Sequence, residues 1–114
     1  MENAVEIRHY VSLQGKDVFD EWLSSLGDAR TQAKIANRIN RLALGNFGDC
    51  KRLRHEVCEL RIDWGPGYRV YYARLDAARV LILCGGSKRN QSGDIERAIE
   101  LLEDYRERTG KHET

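Results

Sequence analysis

An α+β fold of order β-α-α-β-β-β-α is what the sequence predicts, and three patterns predict it. A short alternating segment is followed by two helical stripes; two alternating segments then flank a Gly-Pro-Gly turn; an apolar run finally leads into a third helical stripe. The expected arrangement is a compact domain over residues 1–108, with a mainly antiparallel four-stranded sheet, a helical hairpin and a C-terminal helix. A chain of 114 residues can bury one such core without disulfides. Residues 109–114, "TGKHET", read as a frayed tail.

Residues 5–10, "VEIRHY", alternate and are rich in β-formers, which predicts a strand. From Lys16 to Leu26 the apolar residues Phe19, Trp22, Leu23 and Leu26 fall on one helical face, and Gly27 ends the run. Asp28 is placed to cap a second helix over residues 29–44, whose apolar face carries Ile35, Ala36, Ile39, Leu42 and Ala43. Arg30, Lys34, Arg38 and Arg41 form a basic stripe that reads as its solvated side. Residues 57–64 alternate between Cys58, Leu60, Ile62 and Trp64 on one face and Glu59, Arg61 and Asp63 on the other. "GPG" at 65–67 turns the chain, so residues 68–75 return antiparallel, with Arg69, Tyr71 and Ala73 sharing a face. "RVLILC" at 79–84 is apolar on both sides, as a covered central strand requires. The final helix is expected over residues 93–108, capped by Ser92 or Asp94, with Ile95, Ala98, Ile99, Leu102 and Tyr105 turned inward.

Composition removes several classes. The longest apolar run, "VLILC", is strand-sized rather than membrane-sized, and the amino terminus lacks the basic-then-apolar pattern of a signal peptide. A cytoplasmic protein without membrane contact is expected. Three cysteines without a CxxC pair fit free thiols in a reducing compartment. Cys50, His55 and Cys58 do not have zinc spacing, "GGSKRNQSG" is not a P-loop, and neither a metal nor a cofactor is expected.

Charge is informative where the total is not. The net charge is +1, yet residues 30–89 carry 13 Lys or Arg against 5 Asp or Glu, and the rest carries 6 against 13. A basic centre between acidic flanks suits a polyanionic partner. Arg61 and Arg69 should share the open side of the sheet across the Gly-Pro-Gly turn, with Lys88 and Arg89 emerging beside them. Lys51, Arg52, Arg54 and His55 precede the second strand. Any one of these cations is more simply a solubilising charge; convergence from three adjacent strands makes the group a candidate phosphate site. Tyr71, on the face of Arg69, is placed either for cross-strand packing or for stacking on an unpaired base.

"CELRIDWGPGYRVYY" (58–72), the apolar strand and "GGSKRNQSGDIERAIE" (85–100) together resemble the RelE/ParE superfamily of small toxins, in the branch called addiction-module killer proteins or HigB-like toxins. The similarity covers nearly the whole chain. It implies a RelE-like domain and the toxin of a type II toxin–antitoxin module, neutralised by a small DNA-binding antitoxin encoded beside it. RelE-like members cut messenger RNA in the ribosomal decoding site without metal, and ParE-like members poison DNA gyrase. The first activity, that of an endoribonuclease acting on mRNA at the ribosome, is the expectation; gyrase poisoning and non-enzymatic nucleic-acid binding are the alternatives. By this resemblance Arg69 and Arg89, with Lys88 beside the latter, correspond to catalytic cations, and Arg61 joins them through its face. Lys51, Arg52, Arg54 and Tyr71 would then bind RNA. A tyrosine of the best-characterised ribonucleases falls at Ile95, which cannot ionise. Lys88 beside Arg89 is the remaining candidate for proton transfer.

Overall fold

A computed structural model describes residues 4–110. Strand β1 (Glu6–His9) is followed by helices α1 (Val18–Ser25) and α2 (Ala29–Ala43). Strands β2 (Cys50–Arg52), β3 (Cys58–Ile62), β4 (Tyr68–Asp76) and β5 (Arg79–Ser87) come next, then a short 3-10 helix (Lys88–Asn90) and helix α3 (Gln91–Gly110). The fold is α+β. Its sheet is mixed and five-stranded, in the order β1-β5-β4-β3-β2, with β1 parallel to β5 and the other neighbours antiparallel.

The four-stranded expectation misses β2. Its three residues are all exposed, so no burial alternation marks them as a strand; they are held by pairing Cys50 with Leu60 and Arg52 with Cys58. The hairpin also lacks an Asn-Gly signal. His55 and Glu56 instead take positive φ values of 55° and 69° at its tip, a conformation that two-residue hairpins need and that these residues seldom adopt.

Helices cover both faces. On one, α1 and α2 place Phe19, Ile35, Ile39 and Leu42 against Leu60, Ile62, Val70, Tyr72 and Ile82, with Trp22 and Leu23 at the border. This is the packing that the two helical stripes and the strand alternation predict. On the other face, Ile95, Ala98, Ile99 and Leu102 of α3 cover Tyr71, Ala73, Leu81 and Leu83. Strand β5 lies between these layers, and residues 80–84 are at most 2% exposed, as expected of a central strand.

Capping sets the helix starts. Asp17 accepts from the backbone N–H of Asp20 at 3.0 Å, so α1 begins two residues later than its apolar spacing suggests. Asp28 caps α2 as expected, accepting from Arg30 N–H at 3.2 Å. Two further boundaries differ from expectation. The strand continues through Gly85, Gly86 and Ser87, which pair with Val70, Arg69 and Tyr68 of β4; the Trp22 ring against Gly85 and the Asp94 carboxylate against Gly86 leave no room for a side chain. Helix α3 starts at Gln91 and includes Thr109 and Gly110, the first two residues of the expected frayed tail. The rest of that tail, residues 111–114, lies outside the described residues. Among those described, no helix is long and apolar enough to cross a membrane.

Candidate functional site

The face expected to be open is closed by α3 over most of its length. Alternation does put Glu59, Arg61, Arg69 and Tyr71 on one side of β3 and β4, but only its Gly-Pro-Gly end remains accessible. Tyr71 is 0% exposed beneath α3. It cannot stack on a base without unpacking that helix, so the base-stacking role expected of it is corrected to a packing role. Burial, reinforced by the carboxylates of Glu59 and Asp94, raises its phenol above the ordinary tyrosine range and keeps it neutral.

At the accessible end, Arg61 and Arg69 stand directly opposite each other across the β3–β4 ladder. Two like charges so placed repel. Glu59, only 1% exposed, offsets that repulsion: Arg61 Nε donates to its Oε1 at 3.2 Å, and Arg69 Nε lies 3.0 Å from its Oε2. The Arg69 contact is an ion pair without hydrogen-bond alignment. Gln91, the first residue of α3, donates Nε2 to the same Oε2 at 2.7 Å. A buried carboxylate thus joins two arginines to the start of the helix. The Arg69 side chain is 13% exposed and that of Arg61 41%, so Arg69 is not the freely solvated cation expected.

A groove of about 320 Å³ opens here, lined by Arg61, Arg69 and Lys88, by the turn Gly65, Pro66 and Gly67, and by Tyr68, Asp49 and Asp63. Gly67 holds a φ of 91° and its carbonyl accepts from the Lys88 backbone N–H at 3.0 Å, which seats the 3-10 helix against the turn. Lys88 and Arg89 are exposed, and neither has an ion-pair partner among the described residues. Arg89 lines a separate depression with Pro66, Ser87 and Lys88, next to the groove rather than inside it.

The remaining candidates disperse, because β2 alternates like any strand. Lys51 pairs with Glu59 and Arg52 with Cys58, which sends the two side chains to opposite faces. Arg52 lines a separate cavity of about 460 Å³ with Phe47, Cys50, Cys58, Tyr72 and Arg74. Arg54 is ion-paired to Glu96 of α3. Grouping these three as one RNA-binding loop is therefore not what the structure shows. Ile95 is 9% exposed within the α3 core and faces away from solvent.

Three groove residues carry no sequence signal that singles them out. Tyr68 follows the turn, where alternation assigns it to the core; its ring does pack edge-on to Trp22 at 6.2 Å while also lining the groove. Asp49 and Asp63 have no local mark beyond their charge. Asp94, just behind Gly86, accepts from Asn90 Nδ2 at 3.2 Å through Oδ1, whereas its Oδ2 is buried without a hydrogen-bond partner among the described residues. Burial raises the pKa of this carboxyl group, against the opposing effects of Asn90 and Arg97. Among the described residues, no group of three or more His, Cys, Asp or Glu side chains is arranged to hold a metal ion. Chemically, the groove can bind an anion through arginine N–H groups and a lysine, next to a phenol and two exposed carboxylates.

No protein-family model matches the chain. A Haemophilus influenzae protein described as an uncharacterized protein is 49% identical over 86 residues, which cover 75% of this chain and 87% of that protein. At that identity and coverage, the chain belongs to the same family as the Haemophilus influenzae protein.

Proposed function

We propose that this protein is the toxin of a type II toxin–antitoxin module with a RelE-like domain, a ribosome-associated endoribonuclease that cleaves mRNA without a metal. The observation that carries this reading is the meeting of Arg61, Arg69 and Lys88 in one groove beside the Gly-Pro-Gly turn. RNA brings its own nucleophile. The 2′-oxygen attacks the adjacent phosphorus, the bond from phosphorus to the 5′-oxygen breaks, and a 2′,3′-cyclic phosphate and a 5′-hydroxyl result. The 2′-hydroxyl proton passes to water and the 5′-oxygen gains one from Lys88, which regains a proton from solvent, so no net proton is consumed.

The protein must align the strand and stabilise charge on the phosphoryl oxygens. Glu59 lies on the Nε side of Arg69, and Arg69 lines the groove; in this reading its terminal guanidinium nitrogens grip the phosphate. Lys88 is the exposed cation there that can supply the proton to the leaving oxygen. Such a site is slow alone and faster where a ribosome fixes the strand. An antitoxin segment with acidic residues, expected from the basic centre, would neutralise it by covering the cations Arg61, Arg69 and Lys88. In vitro translation with purified protein, followed by primer extension on the message, tests the reading: ribosome-dependent cuts support it, and intact message with blocked DNA supercoiling points to gyrase instead. One observation favours a second reading, a nucleic-acid-binding module without catalysis: buried Ile95 supplies no ionisable group to the groove.

A further inference from the structure

The groove at Arg69 does not end at Arg61. A second groove of about 320 Å³ runs between α2 and β3, lined by Lys34 and Arg41, and it shares Asp49, Arg61, Ile62 and Asp63 with the first. The two grooves therefore adjoin at these four residues, with Lys88 on the far side of one and the middle of α2 on the far side of the other. Lys34 and Arg41 are exposed, and neither has an ion-pair partner among the described residues. The Lys34 ammonium lies 4.7 Å from the centre of the Trp64 ring, which holds it at the groove wall. The two residues are seven positions apart, two turns of helix or roughly 10 Å. Arg38, between them, also lines the groove, but it is mostly buried and donates to the Phe47 carbonyl oxygen.

We propose that this second groove carries the continuation of a single RNA strand whose reacting phosphate lies at Arg69 and Lys88, with Lys34 and Arg41 holding flanking phosphates. The inference rests on the RNA-cleaving reading and extends its site onto the helical hairpin. Asp49 and Asp63 stand where the two grooves join. Carboxylates repel phosphate but accept hydrogen bonds from base amino groups and 2′-hydroxyls, so the strand passes this point with its riboses or bases inward. A uniformly acidic polypeptide would meet the same two carboxylates with nothing to donate from its side chains.

The test is anisotropy titration of the full protein with two labelled single-stranded RNAs, one of about four nucleotides and one of about twelve, across a salt series. The double variant Lys34→Glu/Arg41→Glu should bind the longer RNA at least about tenfold more weakly, with a salt slope smaller by about 1.4, and bind the short RNA as the wild type does. Lys34→Gln/Arg41→Gln should show the same pattern less strongly, and melting curves should show both variants folded, since both side chains are exposed. Unchanged affinity and slope for the longer RNA would overturn the extension while leaving the groove at Arg69 in place. Failure of the wild type to bind either RNA would overturn the RNA reading itself. Poly-glutamate that binds the wild type, and loses affinity on the variant while RNA does not, would assign α2 to an acidic protein partner instead.

Discussion

The Glu59 carboxylate lies 3.0 Å from Nε of Arg69, and it is almost wholly buried while the arginine reaches the groove. A charge in that position has two consequences. It fixes the guanidinium, and it must itself stay paired, because an isolated buried charge is costly. Glu59→Ala removes the partner of both Arg61 and Arg69 and frees Gln91. A loss of about 3–5 kcal/mol of stability is expected, read by chemical denaturation. Glu59→Gln keeps the shape and should cost less. If RNA cleavage is the function, it should lower kcat more than it raises KM, because the arginine is present but no longer held. Equal stability of Glu59→Ala and wild type would show that the network is not a structural element.

Strand alternation places Arg69 on an open face, where truncation would leave no buried partner behind. The structure changes that expectation. Arg69→Ala leaves Glu59 with Arg61 and Gln91 only, so stability should fall and, if RNA cleavage is the function, activity should fall with it. Arg69→Lys separates the two, since lysine retains a charge for Glu59 but loses the planar fork that grips phosphate. It should melt close to the wild-type temperature. If RNA cleavage is the function, it should also cleave about 30- to 1000-fold more slowly, a transition-state loss of about 2–4 kcal/mol. Lys88→Ala and Arg89→Ala touch exposed residues and serve as the stability-neutral comparison. Full activity in Arg69→Lys would move the reacting phosphate away from this groove.

Arg38 is not the inert surface residue that its place in the basic stripe suggests. It is 6% exposed, donates to the Phe47 carbonyl oxygen and lies against Gly48, whose φ is 58°. Desolvation lowers its pKa, so burial carries a real cost that the hydrogen bond offsets. Arg38→Ala should destabilise by about 1–3 kcal/mol, measured by thermal or urea unfolding. A change below about 0.5 kcal/mol would return Arg38 to the surface class.

The contrast between Arg38 and Phe19 shows where the sequence is legible. Phe19, Ile35, Leu60 and Val70 repeat at the period of their element, and each lies in the core where that period puts it. Arg38 shares its helical spacing and its charge with Lys34 and Arg41, and those two are exposed. Its burial depends on the chain returning at Phe47 and Gly48, which no local period encodes. Strand β2 escapes a sequence reading for a related reason: three exposed residues have no alternation to read. In the candidate site, alternation correctly pairs Arg61 with Arg69 and brings Lys88 beside them. It says nothing of what covers the face. Helix α3 turns Tyr71 from a surface aromatic into a buried one, and only the tertiary packing decides that.

Asp94 gives a pH prediction. Burial raises its folded-state pKa above the ordinary carboxylate value. The folded protein therefore holds this proton more tightly than the unfolded chain does. The associated stability is fully present below the unfolded pKa of about 4 and is lost as pH rises through the raised folded value. Asp94→Asn removes that dependence while keeping a carbonyl to accept from Asn90. Relative to wild type, the variant should gain stability as pH is raised from about 4 towards neutrality, followed by melting temperature. Parallel curves for the two proteins would show that Asp94 titrates as an ordinary carboxyl.

Ile95 is the position at which the family resemblance places a tyrosine, and the sequence alone suggests that Ile95→Tyr would leave activity unchanged or raise it. The side chain is 9% exposed and packs in the α3 layer with Tyr71, Ala98 and Ile99. A phenol inserted there is larger than the isoleucine it replaces and must displace those neighbours. Overpacking of this kind costs roughly 1–3 kcal/mol. Ile95→Tyr should therefore lower the melting temperature and give no increase in cleavage. If RNA cleavage is the function, exposed Lys88, rather than residue 95, is then the group whose replacement by Ala should slow cleavage. A faster, stably folded Ile95→Tyr would show that α3 can rotate this position into the groove, and would shift the proton-transfer role from Lys88 to the helix.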